Sequence, residues 1–284
     1  MFKNITNPQN ILVVGGTGGI GRAIAEKLAI NAPQNSNLTI VGRNKDANDE
    51  IKAAVGESTS NINFIQADVS LMSEVKKVVE QYSTEHDRLD ILVLTQGVLT
   101  FDHILTKENI DYKLALHYYS KALFIKSLVP LLEKSKNAKV LSVLDGSRAD
   151  VKRVDWDDMA LEKDYSLSKA ASHAITFNDI MVQKLAKDHP NMSFSHAYPG
   201  VVSTGIGSSL PWYARYAFKA IASVPGLTRT PAQCADNMIK GMFTKESGWA
   251  CIDSDGSIIN KQEVTKDIMD KLELHNNEIF AKSQ

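Results

Sequence analysis

Three groups of residues in this chain have the types and spacing to do chemistry. The first is GGTGGIGR, where Gly15, Gly19 and Gly21 stand in a G-x-x-x-G-x-G pattern directly after an apolar run. Glycines let a backbone approach a phosphate closely, and a helix start supplies unpaired N–H groups to hold it. The second is Tyr165 with Lys169, four residues apart in YSLSK. On a helix that spacing puts both side chains on one face, where the ammonium favours the phenolate form that a general acid/base needs. The third is the end of KVLSVLDGSR, where an apolar run delivers Asp145, Gly146 and Ser147. If the run is a strand, the aspartate, the serine or neither meets a ligand, because ligands in open α/β sheets sit beyond the carboxyl ends of the strands.

Elements must hold these groups in place, and apolar runs alternate with amphipathic stretches along the chain. Residues 11–14, 38–41, 62–65, 91–94, 140–144, 193–197 and 249–252 read as strands. Helices are expected between them: one carrying Ile20, Ile24 and Leu28 on a face, others over 47–55 and 74–82, and two long ones over 109–132 and 166–186. A helix over 230–243 is capped by Thr230 with Pro231 in its first turn. A highly charged one over 263–282 lies across the domain or contacts another subunit. Such alternation predicts an α/β fold, a single Rossmann-like domain with a doubly wound parallel sheet and helices on both faces.

In that frame the glycine loop falls between the first strand and the first helix, where a nucleotide phosphate binds. The second strand ends in TIVGRN. An NAD site would carry an acid there, whereas Arg43 suits the additional phosphate of NADP, with Thr17 and Asn44 as helpers. Asp68, in QADVS, either accepts a hydrogen bond from the adenine amino group or caps the next helix.

Composition narrows the classes further. A net charge of −1 with scattered Lys and Arg gives no footprint for nucleic acid or an anionic membrane. The two cysteines, Cys234 and Cys251, have no metal-ligand spacing, so no zinc site or disulfide framework is expected. Reduced thiols, together with a start (MFKNITNPQN) that lacks an apolar signal core, suggest a cytoplasmic protein. No apolar run is long enough to suggest a membrane span.

The glycine loop, ADV at 67–69, YSLSK at 165–169 and PGVVST at 199–204 together resemble the short-chain dehydrogenase/reductase family, from about residue 10 to residue 252. With ALHYYSKALF in the long helix, the pattern is most similar to fungal-type members. The resemblance implies an NADP(H)-dependent oxidoreductase that interconverts a carbonyl and an alcohol. Tyr165 would pass a proton to or from the substrate oxygen, and Lys169 would also hold the nicotinamide ribose. Pro199, Gly200, Val202 and Thr204 would line the nicotinamide side, with Ile20, Val69 and Gly97 as further cofactor contacts. Relatives often pair through the two long helices, so a homodimer is implied by analogy.

The chain also departs from the family pattern. Its fourth strand runs into Leu94-Thr95-Gln96-Gly97, which keeps only the glycine of the usual N-N-A-G. His117 falls where the family has an asparagine that organises a relay water; it does so too, or is held by packing. An ungapped alignment sets Asp145 in place of the usual serine, where a carboxylate would repel a phenolate. Ser147 could substitute if the loop curls back, and the loop from 145 to 165 is longer than usual. The stretch SLPWYARYAFKAIASVPG at 209–226 falls where the family builds its substrate lid. Trp212, Tyr213, Tyr216 and Phe218 would give an apolar small-molecule substrate an aromatic wall, while Arg215 and Lys219 permit a helix resting on a membrane. The departures leave two alternatives open: non-redox chemistry such as isomerisation, dehydration or cyclisation, and a non-catalytic NADP-binding sensor.

Overall fold

The computed structural model describes residues 7–56, 60–203 and 228–282. The first half of the chain alternates β1 (Asn10–Val14), α1 (Gly19–Asn31), β2 (Asn37–Gly42), α2 (Asp46–Val55), β3 (Asn61–Gln66), α3 (Met72–Glu85) and β4 (Ile91–Leu94). A long helix, α4, follows in three joined pieces: Tyr112–Leu114, a π turn over Ala115–Tyr119, and Ser120–Leu132. The second half holds β5 (Lys139–Val143), α5 (Leu167–Asp188), β6 (Ser193–Ala197), α6 (Pro231–Met242), β7 (Gly248–Ile252), β8 (Ile258–Ile259) and α7 (Lys266–Lys282).

All strands join one sheet in the order β3-β2-β1-β4-β5-β6-β7-β8. The pairings from β3 to β7 are parallel, as the alternation predicts, and the short β8 runs antiparallel to β7. That last strand was not expected: two isoleucines after an Asp-Gly turn are too short to show a period. Because strand side chains alternate, β1 sends Leu12 and Val14 to one face and Ile11 and Val13 to the other. The first face packs on α3, α4, α5 and α7 through Val75, Phe124, Phe177 and Leu272. The second packs on α1, α2 and α6 through Ile24, Ile51 and Met238. Chain order reverses between β1 and β4, which opens a crevice at their carboxyl ends.

Helix starts differ from the expected ones by a few residues, and the caps explain why. The Asp111 carboxylate accepts the N–H groups of Lys113 and Leu114 at 3.1 and 2.9 Å, so α4 starts at Tyr112 rather than near residue 109. The Ser166 hydroxyl accepts the Lys169 N–H at 3.1 Å and starts α5 at Leu167. Thr230 caps α6 reciprocally with Gln233, as expected. Helix α7 lies across α4 and α5: Asn276 donates to the Tyr118 hydroxyl at 2.7 Å, and Tyr119 and His275 share a hydrogen bond of 2.8 Å. Among the described residues no helix is long and apolar enough to cross a membrane.

Candidate active site

The crevice between β1 and β4 holds a cavity of about 360 Å³. Its wall takes Gly15, Thr17, Gly19, Ile20 and Gly21 from the loop after β1, and Arg43 from the end of β2. Asp68 and Val69 come from the turn after β3, and Gly97 from the segment after β4. Two glycines are fixed by space. A Cβ on Gly15, whose φ is +81°, would stand 2.7 Å from the Gln96 nitrogen, and one on Gly21 would run into the Gly15 carbonyl. Helix α1 has Gly18 as its N-cap and no side-chain cap, so its first N–H groups are left for a ligand. Loop and helix end thus form a cradle for an anion.

Two arginines lie near this cradle and differ in charge balance. Arg22 is neutralised by Glu26 at 2.8 Å and Glu50 at 2.5 Å. Arg43 is exposed and makes no ion pair among the described residues; its Nη1 only donates to the Tyr112 hydroxyl at 3.3 Å. Asn44 is not among the wall residues, and its Oδ1 accepts the N–H of Asp46, the first residue of α2, at 3.1 Å. Asp68 does not cap α3. Its Oδ1 accepts from the Ser70 N–H and hydroxyl at 3.1 and 2.8 Å, while the first N–H groups of α3 are taken by the Glu108 carboxylate.

The phenol and lysine of YSLSK are not stacked on one helix face. Tyr165 precedes α5, and its ring lies against the His103 imidazole with centroids 3.7 Å apart and planes 4° apart. Its hydroxyl accepts a hydrogen bond from Lys113 Nζ at 2.7 Å. Lys169 Nζ instead sits between Asp164 at 2.8 Å and Asp155 at 2.9 Å. Its hydrogen bonds to those two carboxylates, Asp164 first, push the Lys169 pKa up. The Ser166 cap is the reason: with α5 starting at Leu167, the i, i+4 rule does not reach back to Tyr165.

Asp145 and Ser147 engage each other. The serine hydroxyl donates to Asp145 Oδ1 at 2.6 Å, and Arg148 Nε lies 3.3 Å from Oδ2. No hydrogen bond joins either side chain to Tyr165 among the described residues. His117 sits in the π turn of α4, and its Nε2 accepts the Val98 N–H at 2.9 Å. Desolvation, followed by the Lys121 charge, pushes its pKa down to about 3, so the imidazole is neutral with its proton on Nδ1. His117 thereby ties the segment after β4 to α4, and its carbonyl accepts from Asn178 Nδ2 at 2.8 Å.

Pro199, Gly200 and Val202 follow β6 at the same edge of the sheet, but they are not part of the cavity wall. The Pro199 carbonyl meets Cys234 Sγ at 3.6 Å, Gly200 has a φ of +75°, and Val202 bridges to Arg229. Thr204 and the whole 209–226 stretch lie outside the described residues. No cluster of metal-ligating side chains occurs among the described ones. Sequence reasoning missed Lys113, His103 and Asp111. The signal for Lys113 was its place four residues before His117 on the same predicted helix.

Residues 9–212 match the family model described as short chain dehydrogenase. An oxidoreductase of Emericella nidulans is 36% identical over 198 residues, which is 69% of this chain and 59% of that protein, so the match spans less than two thirds of the relative's length. An uncharacterized oxidoreductase of Saccharomyces cerevisiae is 25% identical over 288 residues, covering 96% of this chain and 87% of its own. Among solved structures, an NADPH-bound carbonyl reductase from chicken fatty liver has the same fold, with a TM-score of 0.64 at 15% identity over 90% of this chain and 100% of that one. An angucycline C-6 ketoreductase with bound NADP gives 0.65 at 19% identity over 89% and 96% of the two chains. With the glycine cradle at the strand reversal and a family match over most of its length, this chain belongs to the short-chain dehydrogenase family.

Proposed function

We propose that the protein is an NADP(H)-dependent oxidoreductase that interconverts a carbonyl and an alcohol on an apolar small molecule. One observation carries this reading: the anion cradle of the first loop and the unpaired Arg43 share a single cavity. The uncapped start of α1 is suited to a pyrophosphate, and the Arg43 guanidinium to the 2′-phosphate that distinguishes NADP from NAD. When bound, the nicotinamide supplies or accepts the hydride. Tyr165 gives its hydroxyl proton to the substrate oxygen in reduction and takes one back in oxidation. Phe101, Ile104 and Leu105 are exposed on either side of His103, which stacks on Tyr165, and they support an apolar substrate. The buried free thiols Cys234 and Cys251 support a reducing compartment, and we place the protein in the cytoplasm.

Binding of NADPH and NADH to the wild type and to Arg43→Ala tests the cofactor reading. A charge-assisted hydrogen bond to phosphate is worth about 1.5–3 kcal/mol, so the variant should bind NADPH roughly ten- to a hundredfold more weakly and NADH almost unchanged. An equal loss for both nucleotides would remove Arg43 from the phosphate, and no binding of either would end the reading. Tyr165→Phe should lower turnover at least about a hundredfold. A non-catalytic NADP-binding role is the second reading, favoured because neither Asp145 nor Ser147 hydrogen-bonds to Tyr165. It expects no turnover from the wild type on any carbonyl substrate.

A further inference from the structure

We propose that a second cavity, at the amino ends of β4 and β5, binds a small organic dianion: a phosphate monoester or a dicarboxylate on an apolar body. It lies at the end of the sheet opposite the glycine cradle, and its volume of about 630 Å³ is enough for a small molecule. Ile91 and Lys139, the first residues of β4 and β5, are partners across the sheet and both line it.

Cations outnumber acids in this wall. Arg88, Lys134, Lys136 and Lys139 share it with one carboxylate, Asp90. That carboxylate is already engaged. Its Oδ1 accepts from Arg88 Nε at 2.9 Å and from the Ser135 hydroxyl at 2.6 Å, and its Oδ2 accepts the Asn10 N–H at 2.8 Å. Asp90 therefore balances Arg88, and the three lysines have no ion pair among the described residues. The whole chain carries a net charge of only −1, so this concentration of one sign is local.

Lys139 separates the site from a group of solvated surface lysines. It is only 2% exposed, and its Nζ donates to the Lys245 and Glu246 carbonyls at 2.6 and 2.8 Å. Two carbonyls take two of its three N–H groups and bring no net charge. Burial, partly relieved by the Glu246 charge, pushes its pKa down to about 8. A buried cation without a counter-ion is costly, and an anion entering the cavity removes that cost. Lys134 and Lys136 are exposed just beyond the end of α4, whose carboxyl end offers them only a partial negative charge. They are placed to close over the same anion.

The remaining wall decides what the anion is attached to. Ile91, Phe243 and the Pro8 ring add apolar surface beside the ammonium groups. An inorganic ion would leave that surface bare, whereas a ring or short chain carrying the charges would cover it. Arg88 holds the Pro8 side of the wall through its Nη2, which donates to the Pro8 carbonyl at 3.1 Å.

Saturation-transfer NMR on the full chain tests this with phenyl phosphate, phthalate and phenol, whose ring protons report weak binding. At pH 7 and about 50 mM salt, where exposed charges are little screened, at least one dianion should bind with a Kd of about 1 mM or below. The tighter of the two identifies the charged group, and phenol should bind at least about tenfold more weakly. In a chain carrying both Lys134→Gln and Lys136→Gln, exposed positions where the fold should be kept, Kd for the dianion should rise at least about tenfold. Arg43→Ala, at the other end of the sheet, should leave it unchanged. A double variant that binds as the wild type does, binding lost in Arg43→Ala, phenol held as tightly as the dianions, or no dianion bound at about 10 mM overturns the proposal.

Discussion

Lys121 shows how much a single side chain can cost this fold. It is fully buried in α4, and its Nζ donates to the Val143 carbonyl at 2.7 Å. Burial pushes its pKa down from 10.5 to about 7. Between those values the folded chain binds fewer protons than the unfolded chain, so stability rises as pH climbs from about 7 toward 10.5 and the penalty is full below that window. Lys121→Met removes the charge and keeps most of the volume, at the expense of one hydrogen bond. It should stabilise the protein by about 1–3 kcal/mol at pH 7, with the gain shrinking toward pH 10. Urea unfolding at both pH values measures this; a variant less stable than the wild type at pH 7 would mean that the Val143 hydrogen bond outweighs the buried charge. At this scale the glycine loop was readable in advance, because phosphate approach depends on residue type alone. The contact between Lys113 and the Tyr165 hydroxyl was not, because it depends on which way a helix is turned.

Elements were legible where periodicity governs and less so at their ends. The parallel alternation, the two long helices and the capped α6 follow from apolar spacing and cap chemistry. The start of α5 decides whether Tyr165 and Lys169 share a face, and Ser166 carried that information: a serine before an apolar run is a cap signal, and it places the tyrosine outside the helix. Asp111 did the same for α4. The π turn over Ala115–Tyr119 had no such signal, since one additional residue in a turn leaves the hydrophobic pattern almost unchanged. It nevertheless aligns two neighbours of the site. It leaves the His117 carbonyl to Asn178 and sends the ring to Val98. The Asp145–Ser147 pair was beyond sequence reasoning for a different reason: a hydrogen bond between residues two apart, at the entry to the 3₁₀ turn Gly146–Arg148, competes with any longer-range role, and only the folded chain shows that it wins.

For the whole molecule, α7 determines what the outer face of α4 and α5 can do. Met269, Leu272, Ile279 and Phe280 are buried there, and Glu273 reaches Lys184 at 3.2 Å. With that face covered, the full chain should run as a monomer in light scattering, and a chain truncated after residue 265 should self-associate through the uncovered helices. A full chain that is dimeric at low micromolar concentration would show that pairing uses another surface or displaces α7. The contacts that seat α7 join residues far apart in the chain: Tyr119 and His275 are separated by 156 positions, and Tyr118 and Asn276 by 158. Contacts of such span close late in folding, because the loop between their ends must be ordered first. A chain that has folded as far as α5 therefore holds an apolar surface open, and the time before α7 docks is when two unfinished chains can stick to each other.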